Sequence, residues 1–114
     1  MKIIVALCMF LPVAFAAPNA TPRKLLGLWA VKGQCAKTSQ QLLIRNTTLQ
    51  FAHRAPEEIR FFANDAANGA GAFHWKEEGI VSNIQYLESD DLLVSNPSGY
   101  GYPSDVVYRR CAVK

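Results

Sequence analysis

From Leu25 onward, apolar residues come in short runs, several of them alternating with polar positions, and turn-forming residues interrupt the runs every 8–12 residues. The first run is LLGLWAV (25–31). QQLLIR (40–45) and LQFAHR (49–54) follow, separated by an Asn-led turn at Asn46-Thr47-Thr48. APEE turns the chain into EIRFFAN (58–64), and DAANGAG (65–71) forms a longer glycine-containing loop. AFHWKEE (72–78) and IVSNIQYL (80–87) meet at Gly79, a residue able to take positive φ. ESDD leads to LLVS (92–95), and NPSGYGYPSD (96–105) leads to VVYRRCAV (106–113).

This is a pattern of eight strands with hairpin-length links and no helical period. Strands linked so closely are antiparallel neighbours. Eight of them can close on themselves, which removes the exposed edges of an open sheet. The fold predicted is therefore all-β, an eight-stranded antiparallel up-and-down barrel. Alternation puts Leu49, Phe51 and His53 on one face of their strand, and Ile80, Ser82, Ile84 and Tyr86 on one face of theirs. Leu42, Ile44, Leu49, Phe51, Ile59, Phe61 and Ile84 are the expected filling. Short strands and a filled interior predict a solid core or a shallow mouth, in place of a deep calyx.

Upstream of this pattern, Met1-Lys2 precedes an uncharged apolar stretch that ends in Ala14-Phe15-Ala16. That is the form of a secretory signal peptide, too short for a membrane span, and cleavage after Ala16 fits its small residues. Cys8 follows the bulky Leu7, does not mark a lipid anchor, and leaves with the signal. Residues 17–24, APNATPRK, have no periodicity and read as a flexible arm. Residues 25–114 then form one domain. The expected location is secreted or periplasmic.

The formal net charge is +3 and its charges are interspersed, so the basic stripe of a nucleic-acid binder is missing. No apolar segment after residue 16 is long enough to span a membrane. Outside the signal only Cys35 and Cys111 remain, and an exported chain meets oxidising conditions. One intramolecular pairing is available to them. Closure of the barrel would bring the first and last strands together, where this disulfide staples the seam.

Gly27-x-Trp29 fits the same picture. A glycine near a strand's start permits a bend or a close backbone approach, and a Trp two residues on can plug one end of the barrel. A last-strand arginine, Arg109 or Arg110, can lie against the indole with its hydrogens on backbone carbonyls. Gly27, Trp29 and this arginine resemble the structural signature of the calycin superfamily, which includes lipocalins, avidins and certain bacterial proteinase inhibitors. The strand count extends the likeness over about residues 25 to 113. Arg109 shares the face of Cys111, and the sequence leaves open which arginine stacks.

The sequence carries little catalytic chemistry. His53 and His74 lie in predicted strands without an Asp/His spacing. The acidic pairs Glu57-Glu58, Glu77-Glu78 and Asp90-Asp91 sit at predicted turns, where carboxylates are solvated. There is no phosphate loop, nucleophile elbow or metal-ligand set. The reading is a non-enzyme without metal or cofactor.

The most unusual loop is PSGYGYPSD. Its Tyr100 and Tyr102 lie between glycines and prolines, and a tyrosine on restrained backbone offers large contact area at low entropic cost. Ser98-Gly99 followed by Tyr102 is similar to a Ser-Gly-x-x-Tyr loop of some bacterial lysozyme inhibitors, although PSDVVYRRC lacks their later Trp and Lys-Gly pattern. The arm before Gly27-x-Trp29 is similar to the one that calycin-type inhibitors place in a metalloprotease cleft, although those proteins close their disulfide over a short local loop. Asn19-Ala20-Thr21 and Asn46-Thr47-Thr48 are glycosylation sequons if the source is a eukaryote.

Together these features predict a monomeric exported protein that inhibits a hydrolase, a protease or lysozyme, through rim residues Ser98, Tyr100 and Tyr102. The rival readings are a small-molecule carrier of the lipocalin type and a structural envelope protein.

Overall fold

The computed structural model describes residues 20–65, 68–77 and 79–112. The proposed signal peptide lies outside these residues, as do Glu78 and the first sequon's Asn19. Eight strands form one closed barrel in chain order: β1 (Gly27–Val31), β2 (Gln41–Ile44), β3 (Thr48–Phe51), β4 (Glu57–Asp65), β5 (Ala70–Trp75), β6 (Val81–Leu87), β7 (Asp91–Ser95) and β8 (Asp105–Arg110). Every neighbouring pair is antiparallel, and β8 returns to β1 through Trp29–Arg110, Ala30–Arg109 and Val31–Tyr108. Among the described residues no helix is long and apolar enough to cross a membrane.

Several boundaries differ from the sequence expectation, each for a local reason. The first strand starts at Gly27, because Arg23–Leu25 wind into a 3₁₀ turn after Pro22. The third stops at Phe51, because Ala52 takes φ 53° and begins a turn. His53 is therefore in that turn and exposed, away from the face it was expected to share with Leu49. Glu57 and Glu58 open β4 and are not turn residues. The arm expected over 17–24 is no free arm from Thr21 on. Thr21 is buried and its Oγ1 donates to the Asn46 carbonyl at 3.0 Å, while Leu25 is fully buried in the core.

Period-two alternation fills the interior. Leu42, Ile44, Leu49, Ile59, Phe61, Phe73, Ile84, Leu92 and Val94 are buried together, with Phe51 packed against them half-buried. Phe61 and Phe73, directly paired across β4 and β5, meet edge to face at 5.4 Å. Such contacts add to the area term for burial.

The end of the barrel where β1 begins is closed by the motif that opens that strand. Trp29 is fully buried and its Nε1–H donates to the Leu25 carbonyl at 3.1 Å. The Arg110 guanidinium lies 4.2 Å from the centre of the indole. From there Nη1 donates to the Leu26 carbonyl at 2.7 Å, Nη2 to the Lys24 carbonyl, and Nε to Asp90 at 2.8 Å. Gly27 makes room for this: it sits at φ +127°, and a Cβ there would lie 3.1 Å from Arg110 Nη1. Arg109 points outward instead and pairs with Asp91 at 3.1 Å.

Asp90 was expected to be simply solvated at its turn. It carries the plug's counter-charge, accepting from Arg110 and, at 2.7 Å, from the Tyr86 hydroxyl. Partial burial pushes its carboxyl up, but the hydrogen bonds from Tyr86 and Arg110 and the nearby positive charge outweigh this and hold it below the usual carboxylate value. Tyr86 is pushed up, chiefly by donating to that carboxylate.

Cys35 and Cys111 are joined, with Cα atoms 5.8 Å apart and 76 residues of sequence between them. Cys111 N–H also donates to the Leu28 carbonyl at 2.8 Å. The bridge therefore draws the β1–β2 loop back along the outside of β1. Ala30, which alternation turns outward, is fully buried there.

One interior group stands out. Tyr108 is 1% exposed, and no hydrogen bond to its hydroxyl is found among the described residues. Burial pushes its phenol well above the ordinary value. An unsatisfied buried hydroxyl costs about 1–3 kcal/mol, so Tyr108→Phe is expected to stabilise the protein by about 1 kcal/mol at neutral pH. The folded state also holds this proton more tightly than the unfolded chain does. Stability is thus undiminished below a pH of about 10 and falls as pH rises beyond it, a loss that Tyr108→Phe removes. Urea titrations at neutral and alkaline pH check both points; destabilisation at neutral pH would show that the hydroxyl has a partner.

Candidate functional site

The opposite end of the barrel carries the β7–β8 loop, Asn96–Ser104, and here the most exposed aromatic residues among the described ones gather. Tyr100 is 64% exposed and Tyr102 84%. The loop beneath them is fixed from inside. Trp75 at the end of β5 donates from Nε1 to Ser82 Oγ at 3.0 Å, and Ser82, fully buried on β6, donates to the Asn96 carbonyl at 2.7 Å. Asn96 takes φ 56°, a conformation that asparagine tolerates. Its side chain donates to the Val81 carbonyl at 3.2 Å and accepts from Gly101 N–H at 2.6 Å.

Ser98 closes the second half of the loop. It is 2% exposed, accepts from Tyr100 N–H at 3.1 Å and donates to the Tyr102 carbonyl at 2.8 Å. Pro97 is fully buried beside it. Gly99 lies flat on the Trp75 indole at φ +81°, and a Cβ there would come within 2.7 Å of the ring. The ring and the turn both demand glycine.

Of the three residues expected at a binding surface, two are presented and one is not. Tyr100 and Tyr102 project from the rim, whereas Ser98 is the peg that holds their backbone. A fourth residue joins them that sequence reasoning missed. Arg54, from the β3–β4 turn, lies with its guanidinium 4.0 Å from the Tyr100 ring centre. No local signal could have linked residues this far apart in the chain; the barrel's closure brings their loops to one end. The turn signal Asn96-Pro97 was visible, but the buried Ser82 that receives it was readable only as an inward position.

The other candidate groups are scattered. His74 stands on the outside of β5 against Phe62, their rings 4.4 Å apart, and His53 is on the surface next to Arg54. Among the described residues no group of three or more His, Cys, Asp or Glu side chains is placed to hold a metal ion. Grooves of about 360 and 580 Å³ open on the outer wall between strands. The interior between the strands is occupied by Trp29, Tyr108, Phe73 and the aliphatic side chains around them. No family model, curated protein or solved structure matches this chain.

Proposed function

We propose that this protein is an exported, non-enzymatic binding module, calycin-like in construction, which inhibits a hydrolase by protein–protein contact at the Tyr100–Tyr102 rim. The observation that carries this reading is the contrast within one loop: two exposed tyrosines on a backbone pinned by Ser98, Asn96 and Trp75. Pre-ordered aromatic anchors lose little entropy on binding, and Tyr and Arg are over-represented among the residues that dominate interfaces. Arg54 on Tyr100 adds a cation to the same surface. The stacked Trp29 and Arg110 beside Gly27 support the calycin-like part of the proposal. The filled interior favours this reading over a carrier, which would need a pocket of several hundred Å³ between the strands.

The test is residual activity of a panel of lysozymes, serine proteases and metalloproteases titrated with the protein. Near-stoichiometric inhibition of at least one is expected. The Tyr100→Ala/Tyr102→Ala double variant is expected to inhibit at least tenfold more weakly, about 1.4 kcal/mol, with the melting temperature unchanged because both rings are outside the core. Inhibition that survives the double change, or no inhibition of any enzyme in the panel, overturns the proposal.

A further inference from the structure

Asn46 stands in the short link between β2 and β3, residues 45–47, at the end of the barrel where β1 begins, since Ile44 pairs with Gly27. Asparagine serves such links in two ways: it tolerates left-handed backbone, and its carboxamide bonds to nearby main chain. Neither applies here. Asn46 is not among the residues with positive φ, and among the described residues its carboxamide makes no hydrogen bond. The fold uses only its main-chain carbonyl, which accepts from Thr21 Oγ1 at 3.0 Å and which any residue supplies. Asn96 is the contrast: it takes φ 56°, and its carboxamide bonds to Val81 and Gly101.

The side chain is exposed and unspent, and it opens the triplet Asn46-Thr47-Thr48. Thr48 supplies the hydroxyl that an Asn-x-Thr acceptor needs. Alternation with buried Leu49 turns Thr48 outward on β3, and its hydroxyl also makes no hydrogen bond among the described residues. The other described asparagines fail one of these requirements. Asn64, Asn68 and Asn83 have no Ser or Thr two residues on. Asn96 has Ser98, but Pro97 between them is the one residue the motif forbids, and Ser98 is buried. The Cys35–Cys111 bridge belongs to an oxidising, secretory compartment, where sugar transfer to asparagine takes place.

We propose that Asn46 is the acceptor of an N-linked oligosaccharide. The proposal rests on the export reading, and the transferase it calls for is that of a eukaryotic secretory pathway. The donor is an oligosaccharide carried on a lipid pyrophosphate. A bond forms from Asn46 Nδ2 to C1 of the first sugar, and the bond from C1 to the pyrophosphate oxygen breaks. One carboxamide proton passes to a base, and the lipid pyrophosphate leaves. Attached there, the glycan projects from the end of the barrel opposite Tyr100 and Tyr102 and leaves that rim uncovered.

The experiment is secretion of the full chain from cultured mammalian cells in two forms, one with its own signal and one with residues 1–16 replaced by a host leader. The intact mass of the secreted protein should exceed that of the polypeptide by an oligosaccharide. Peptide N-glycosidase should remove the excess and leave an aspartate at the position of Asn46, read by peptide mass. Asn46→Gln and Thr48→Val should each abolish the modification at this site, while Thr48→Ser retains it. Secretion of the host-leader form without a sugar on Asn46 overturns the proposal, and so does a sugar confined to Asn19. If only the host-leader form leaves the cell, the export reading fails, and the sugar on that form still decides the proposal.

Discussion

Replacing both Cys35 and Cys111 with serine is expected to lower stability by about 4.5 kcal/mol, as judged from loss of the restraint on a long unfolded loop. Their separation of 76 residues spans nearly the whole barrel. A small domain is stable by only about 5–15 kcal/mol in total, so the variant should unfold at temperatures where the native protein is intact. A shift of this size moves the melting temperature by some 20 °C or more for a domain of about this length. Urea denaturation of the oxidised protein and the double serine variant gives the difference directly. A loss below about 1 kcal/mol would contradict the chain-entropy account, and would mean that the β1–β8 ladder holds the seam unaided.

Trp29→Ala should cost about 3–5 kcal/mol, the range for removing a large buried aromatic side chain. Area alone understates the damage. The indole supports the Arg110 guanidinium, and the Leu25 carbonyl accepts its N–H. Without the ring, Arg110 keeps Asp90 and two backbone carbonyls but faces a void. Trp29→Phe separates the contributions: it retains much of the apolar volume and leaves the Leu25 carbonyl without its donor, at a cost of about 1–3 kcal/mol. Equal destabilisation by Phe and Ala would show that the hydrogen bond, and not the packing, decides the plug's strength.

The architecture was legible in the sequence because side-chain period two is a direct consequence of strand geometry. Leu42 and Ile44, Ile59 and Phe61, and Ser82 and Ile84 turned inward together, as their spacing indicated. The Cys35–Cys111 pairing was equally accessible once Cys8 was read as part of a signal peptide. What escaped depended on tertiary contact. Thr21 to Leu25 lack any period, and tertiary contacts hold them in place: the Asn46 carbonyl, the core, and the Trp29 and Arg110 side chains that bond the Leu25 and Lys24 carbonyls. Arg109 and Arg110 are identical in type; the burial of Tyr108 fixes which of them turns inward. Asp90 and Asp91 differ likewise only in their partners, one facing the plug and the other Arg109 outside. At the rim, the exposed tyrosines were anticipated as loop residues, but the Arg54 contact needed the finished barrel.

The entry of β1 beside the exit of β8 has a practical consequence for geometry of attachment. The two strands are ladder neighbours running in opposite directions, so sequence joined ahead of residue 20 or behind residue 112 is delivered to the same end of the barrel. The tyrosine loop stands at the other. A biotin tag or surface tether joined directly at either of these points would orient the molecule with that loop facing solution, whereas coupling through lysines spread over the surface would orient it at random. The same adjacency suits circular permutation: a short linker can join the two ends, and the exposed turn at residues 45–47 offers a place to reopen the chain.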